Sequence, residues 1–248
     1  MINKTIKFYA EKNYLKLKED HPQPCKLNIP EWYKNLKTHA VSNFTIKGCM
    51  PFLDTLTTGY LLKIPADLYL EHNVFSEDGR TTKLNSRIED LSEHKNLNLN
   101  RASGEQTHPP QQLGKECPFN QKNQNLAFQK IMNPWLIKTP PGYSCLFLPP
   151  MNNSDDRFSI IPGIVDTDTF ELEINFPIIV NGDKHPALKT IIKKGTPYVQ
   201  VIPFKRESWK IKIEAFDKNN KVEKDRDFYQ FRLLHQYKER FWNKKLWK

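Results

Sequence analysis

Glycine is scarce in this chain, with 9 among 248 residues against 18 prolines. Proline fixes φ and removes a backbone donor, so this balance disfavours long helices and favours extended segments joined by fixed turns. Cysteine is sparse too: Cys25, Cys49, Cys117 and Cys145 are widely separated, with no Cys-x-x-Cys pair and no His at finger-like spacing. That argues against a structural zinc site and predicts reduced thiols. Long apolar runs are missing as well. None approaches bilayer-spanning length, and Met1 is followed by polar, charged sequence without an apolar signal core. The expectation is a cytoplasmic chain with no membrane partner.

What the chain has is charge and aromatic side chains. Hydrophobic residues make up 38%, charged residues 27% and aromatics 12%, which suits a folded chain long enough for one elaborated domain. The net charge is +10, and the stretch from Lys205 to Lys248 carries 14 Lys or Arg against 7 Asp or Glu, so +7 of it lies there. A basic tail attracts nucleic acid, nucleotides or acidic proteins. No reading motif accompanies this one, which leaves a solvated helix face as the plainer reading.

Along the chain, residues 6–9 read as a short strand and 27–36 as a helical turn started at Pro30. Its Trp32 and Tyr33 pack inward or, alternatively, stack on a base. Residues 44–47 read as a strand, and after 52–56 a Thr57-Thr58-Gly59-Tyr60 turn leads into the apolar strand 61–64. From 71 to 125 the composition shifts to Asn, Gln, Glu, Lys, Ser and His, the mark of a polar insertion over the surface. Within it, His108-Pro109-Pro110-Gln111-Gln112 is a stiff segment that reads as an exposed loop or, with His108 facing a ligand, as a pocket edge.

Strand signals become denser after Trp135. Residues 136–138, a Pro140-Pro141-Gly142 turn and residues 143–148 form one unit. Phe170, Leu172, Ile174 and Phe176 alternate with Glu171, Glu173 and Asn175, the period of a strand buried on one face. Residues 191–192, 198–204 and 209–213 add further strands. Phe228, Phe231, Leu234, Tyr237 and Phe241 then recur at helical spacing toward Leu246, interleaved with Arg232, Lys238, Arg240 and Lys244. That stripe packs on its own β-domain or a neighbouring subunit, with nucleic-acid contact as the alternative. Short strands at such spacing predict a mainly β fold, a sandwich or barrel, with the long polar insertion at 71–125 and a C-terminal amphipathic helix. We divide the chain into a β-rich domain over 1–204, best defined at 135–204, and a final strand with a basic aromatic tail over 205–248.

Four motifs then stand in a telling order: Thr58-Gly59-Tyr60-Leu61-Leu62, Pro140-Pro141-Gly142-Tyr143, Gly163-Ile164-Val165-Asp166-Thr167-Asp168, and Lys194-Gly195-Thr196-Pro197-Tyr198-Val199-Gln200. The order resembles the core of the deoxyuridine triphosphatase and deoxycytidine triphosphate deaminase superfamily, a β-clip fold. Gly59, Gly142, Gly163 and Gly195 fall at that core's turns, where positive φ or close backbone approach calls for glycine. The chain also resembles, over most of its length, an uncharacterised family common in tailed phages of marine bacteria.

The resemblance implies roles as well as a fold. Asp166 stands where the superfamily has its water-activating carboxylate. Asp168, Phe170 and Gln200 stand along a ligand pocket, and Lys138 or Arg206 would supply charge to it. It further implies a homotrimer, a nucleotide ligand and, with that ligand only, Mg²⁺. Departures weigh against the chemistry. Leu61 replaces the metal-associated Asp, Pro149-Pro150-Met151-Asn152 replaces the phosphate-binding Arg-Ser motif with Arg157 as the nearest Arg, and Thr169 replaces a Tyr beneath the sugar. The resulting expectation is a phage-type protein without conventional triphosphatase activity that binds a nucleotide-like ligand. The alternatives are a non-enzymatic phage structural or host-interaction protein, in an infected cell or a virion, and nucleic-acid binding through the tail.

Overall fold

The computed structural model describes residues 4–40, 43–73, 85–90, 107–215, 221 and 237–248. Strands dominate them. In chain order these are β1 (Lys7–Tyr9), β2 (Gln23–Pro24), β3 (His39–Ala40), β4 (Asn43–Phe44), β5 (Tyr60–Lys63), β6 (Leu68–Asn73), β7 (Asn85–Asp90) and β8 (Thr107–His108). They continue as β9 (Phe128–Ile131), β10 (Leu136–Lys138), β11 (Tyr143–Leu148), β12 (Phe158–Ile160), β13 (Gly163–Val165), β14 (Phe176–Val180), β15 (Ala187–Ile192) and β16 (Pro197–Lys205). Three short helices, α1 (Glu31–Asn35), α2 (Met50–Thr57) and α3 (Pro118–Lys122), each carry a proline at their N-terminal boundary (Pro30, Pro51 and Pro118), where a missing donor costs nothing.

Every pairing among these strands is antiparallel. The largest sheet has the order β13-β11-β16-β5-β2, and beside it stand a four-stranded sheet β12-β14-β9-β8 and a three-stranded sheet β15-β6-β7. Among the described residues these sheets do not close on themselves, so the barrel expectation gives way to separate packed sheets. The core lies between them. Phe147 of β11, Phe176 of β14 and Tyr198 of β16 form a chain of rings with centroids 5.4 and 5.8 Å apart. In β16, Tyr198, Val199, Gln200 and Val201 are all buried, because a central strand covered on both faces reads as a continuous run.

Gly59 shows why the turn before β5 requires glycine. Its φ is +75°, and a Cβ there would lie 2.2 Å from the carbonyl oxygen of Val201. Gly142 and Gly195 also have positive φ. Gly163 does not; it sits within β13 with open space around it, so that position makes no conformational demand for glycine.

Several expected elements differ in the structure. Residues 44–47 are only partly strand, since Thr45 caps a tight turn at Ile46–Gly48 by accepting from the Lys47 N–H. Residues 170–175 are not a strand despite their alternation. The Asp166 carbonyl accepts from both Thr169 N and Phe170 N, winding the chain into a turn, and β14 starts only at Phe176. Residues 209–213 form no strand and, among the described residues, make no backbone hydrogen bond, with Trp209, Ile211 and Ile213 between 86 and 89% exposed. Of the aromatic pair on α1, Tyr33 is buried while Trp32 is half exposed against Phe52.

The expected C-terminal helix falls largely outside the described residues. Its last part is a single wide turn at Tyr237–Phe241 followed by a non-helical run. That run docks on the core. Trp242 Nε1 donates to Asp54 on α2 at 3.1 and 3.2 Å, Lys245 Nζ meets Asp54 at 2.6 Å, and the Trp247 ring lies edge-on to Tyr60 at 5.9 Å.

The flanks of the polar insertion are core, which corrects its reading as surface only. His72 on β6 is fully buried, and Asn123 accepts from Val180 N with its Oδ1 while donating to the Leu126 carbonyl. The Asn123 amide is tolerated there because its hydrogen bonds are made within the core.

Two measurements check this packing. Gly59→Ala should lose about 3 kcal/mol in denaturant unfolding, the combined cost of a strained φ and a backbone clash. Burial pulls the His72 imidazole from 6.5 down to about 4, so the unfolded chain binds the extra proton in between. Stability should therefore fall as pH drops from 6.5 to 4, and His72→Gln should flatten that part of the profile.

Candidate functional site

The Asp-Thr-Asp turn, the Pro-Pro-Gly turn and the end of β16 converge at one end of the largest sheet. β11 pairs with β13 on one side and β16 on the other, with Cys145 opposite both Val165 and Pro203. Asp166 to Asp168 therefore leave β13 beside the start of β11, and Arg206 leaves β16 at the same level. Arg206 N donates to the Gly142 carbonyl at 2.9 Å, which fixes the guanidinium over the turn.

The guanidinium binds Asp168 in a fork, Nη1 to Oδ1 at 2.8 Å and Nη2 to Oδ2 at 2.5 Å. Asp168 Oδ2 also accepts from Gly142 N at 2.8 Å. Nη1 lies 3.0 Å from Ser144 Oγ and 3.3 Å from Asp166 Oδ1, and Ser144 donates to that same oxygen at 2.6 Å. Beneath, the hydroxyls of Thr139 and Thr167 meet at 2.7 Å, and Thr167 Oγ1 reaches Cys145 Sγ at 3.3 Å. One cation thus serves two carboxylates. The Asp168 side chain is 6% exposed and that of Asp166 61%.

The Arg206 guanidinium holds the Asp168 carboxyl well below the usual carboxylate range, with the Gly142 N–H adding to it and desolvation opposing. A carboxylate so committed is a poor base.

The other residues singled out from the sequence divide into two groups. Phe170 lies beside the cluster, 38% exposed, and Lys138 reaches the same loop through Glu171 at 3.4 Å. Gln200 lies elsewhere. It pairs with Leu148 while Phe204 pairs with Ser144, four strand residues or about 13 Å further along. Its amide is fully engaged within the fold, donating to the carbonyls of Thr55 and Thr58 at 3.0 and 2.7 Å and accepting from Met151 N at 2.8 Å. His108 is on β8, in a different sheet. Arg157 forks onto Asp155 at 2.6 and 2.9 Å and donates to Thr190 at 2.8 Å, so its guanidinium is spent on holding β15.

Ser144 carries more of this site than its sequence announced. A fully buried hydroxyl in the otherwise apolar strand Tyr-Ser-Cys-Leu-Phe-Leu is the signal that marks it. Asp54, which holds the C-terminal run, has no comparable signal.

The position implied for a metal-associated carboxylate holds no oxygen ligand. Leu61, at the position implied for a metal-associated carboxylate, is buried in β5 opposite Gln200. Among the described residues no group of three or more His, Cys, Asp or Glu is placed to hold a metal. Nor is there a membrane-spanning helix among them. A narrow crevice lined by Pro149, Pro150, Asp155, Phe158 and Tyr198 lies at the opposite end of the β11–β16 pair from Asp166. No protein-family model and no curated protein matches this chain.

Since Asp168 is held ionised in the fold, its stabilisation is complete above the unfolded carboxylate value of about 4 and fades as pH falls below it. Asp168→Asn should therefore lower the urea midpoint at pH 7, with the gap to wild type narrowing steadily as acid is added.

Proposed function

We propose that this chain is a phage-type accessory protein that uses a deoxyuridine-triphosphatase-like β-scaffold without conventional triphosphatase activity, and that it works by binding at its surface. The observation that carries this reading is the engagement of Asp166 and Asp168 by Arg206 and Ser144. A general base must be free to reach a water beside a reacting phosphorus held by counter-charges. Here the counter-charge is turned onto the carboxylates themselves.

One specific observation favours a nucleotide-like ligand as the bound species. The exposed Asp166 carboxylate, the partly exposed Arg206 guanidinium and the exposed Phe170 ring lie together, which offers an acceptor, a donor and a stacking face. The alternative is a protein partner of virion or host on the same scaffold.

The test is a panel of deoxynucleoside triphosphates with Mg²⁺. No release of pyrophosphate or ammonia above background is expected, and turnover abolished by Asp166→Asn would overturn the proposal. Saturating ligand at Asp166 should raise the melting temperature of wild type and not of Asp166→Ala, because binding to the folded state alone shifts the equilibrium by mass action. Absence of any shift leaves the protein-partner alternative standing.

A further inference from the structure

The run from Tyr237 to Lys248 sorts its aromatic side chains into two sets. Over Tyr237–Phe241 the backbone makes one wide turn, closed by the Trp242 N–H donating to the Tyr237 carbonyl at 2.8 Å. The Tyr237 and Phe241 rings stand side by side on it, with centroids 6.3 Å apart and planes tilted by 38°. Trp242 instead reaches Asp54 on α2, and Trp247 meets Tyr60. The two indoles therefore dock. The two rings whose helical spacing predicted packing stay in water, Tyr237 44% and Phe241 57% exposed. A pair of rings held outside the core on an anchored backbone forgoes the apolar gain that ordinarily draws such side chains inward.

Unpaired charge surrounds that pair. Between 237 and 248 stand Lys238, Arg240, Lys244, Lys245 and Lys248, against Glu239 alone. Lys245 is committed to Asp54, the one acid of α2, which Trp242 also occupies. Lys238, Lys244 and Lys248 are exposed and make no ion pair among the described residues.

We infer that this anchored run is an interface for single-stranded nucleic acid, with bases stacking on Tyr237 and Phe241 and phosphates meeting Lys238, Lys244 and Lys248. Rings and unpaired ammonium groups share the run, and a single strand repeats a planar ring and an anion at every unit. A duplex is a poorer match, because its ring faces are closed within its own stack. An anionic bilayer would answer the cations, but indoles are the side chains that anchor at a lipid interface, and both indoles of the run are turned onto protein. Asp54 and Tyr60 hold the backbone before any ligand arrives, so less chain entropy is lost on association. The surface is remote from the Asp166 cluster: α2 packs at Gln200, about 13 Å along β16 from that end of the sheet. It stands or falls independently of what binds there.

The experiment is fluorescence anisotropy of a labelled oligothymidylate of about 20 nucleotides with the full-length protein over a salt series. Wild type should bind at about 50 mM salt, with a slope of log K against log salt of about −2 or steeper. Replacing Lys238, Lys244 and Lys248 together by Gln should make that slope shallower by about 2. Phe241→Ala should weaken binding about tenfold with the slope kept, since it removes a stacking face and no charge. All four positions are exposed, so circular dichroism should be unchanged in both variants. No binding at low salt overturns the inference. So does a duplex of equal length or polyglutamate bound as tightly as the single strand, because charge alone would then suffice. Binding to phosphatidylglycerol vesicles in place of the oligonucleotide would make the run a lipid contact. An unchanged slope in the triple variant overturns it too, by placing the phosphates elsewhere.

Discussion

One guanidinium governs the end of the sheet on which the rest of this molecule turns. Arg206 is bound to Asp168 through both of its terminal nitrogens, to the Gly142 carbonyl through its backbone, and to Asp166 jointly with Ser144. Those contacts join the turn before β11, the turn after β13 and the exit from β16. Removing the cation would leave Asp168 a nearly buried carboxylate with only a backbone N–H, and charge without a partner is far more costly than a missing neutral hydrogen bond. The cluster is therefore a clasp first, and whatever binds there meets a cation already shared between two carboxylates.

The turns and the polar side chains of this fold answer to different constraints. The turns depend on backbone geometry, as at Gly59, where a Cβ would strike the Val201 carbonyl. Metal and phosphate chemistry depends on side chains that the fold does not need. Leu61 fills its position with apolar packing, and Arg157 turns its fork onto Asp155. Gln200 is likewise turned inward, since its amide hydrogen bonds go to Thr55, Thr58 and Met151.

Much of the fold could be read from the chain because its signals are local. Pro-Pro-Gly and Asp-Thr-Asp turns follow from φ preferences and side-chain capping, and the apolar runs of β11 and β16 mark central strands. The misreadings share a cause. Alternation records that two faces differ, not which element supplies the buried side, so Phe170 to Phe176 and Trp209 to Ile213 read as strands, whereas of these residues only Phe176 lies in one. The site was half legible for a similar reason. Asp166, Asp168 and Arg206 stood out, but the pairing of Arg206 with Asp168 spans two strands of a sheet, and Ser144 became visible only once β11 lay between them.

The docking of Trp242, Lys245 and Trp247 on Asp54 and Tyr60 has a topological consequence. With Arg206 clasped at one end and Trp242 docked at the other, the chain between them is tethered to the core at both ends. Cutting the chain between those two anchors would turn the final segment into a separate ligand. Its grip on α2 would then depend on protein concentration, whereas in the intact chain it is a property of the fold alone.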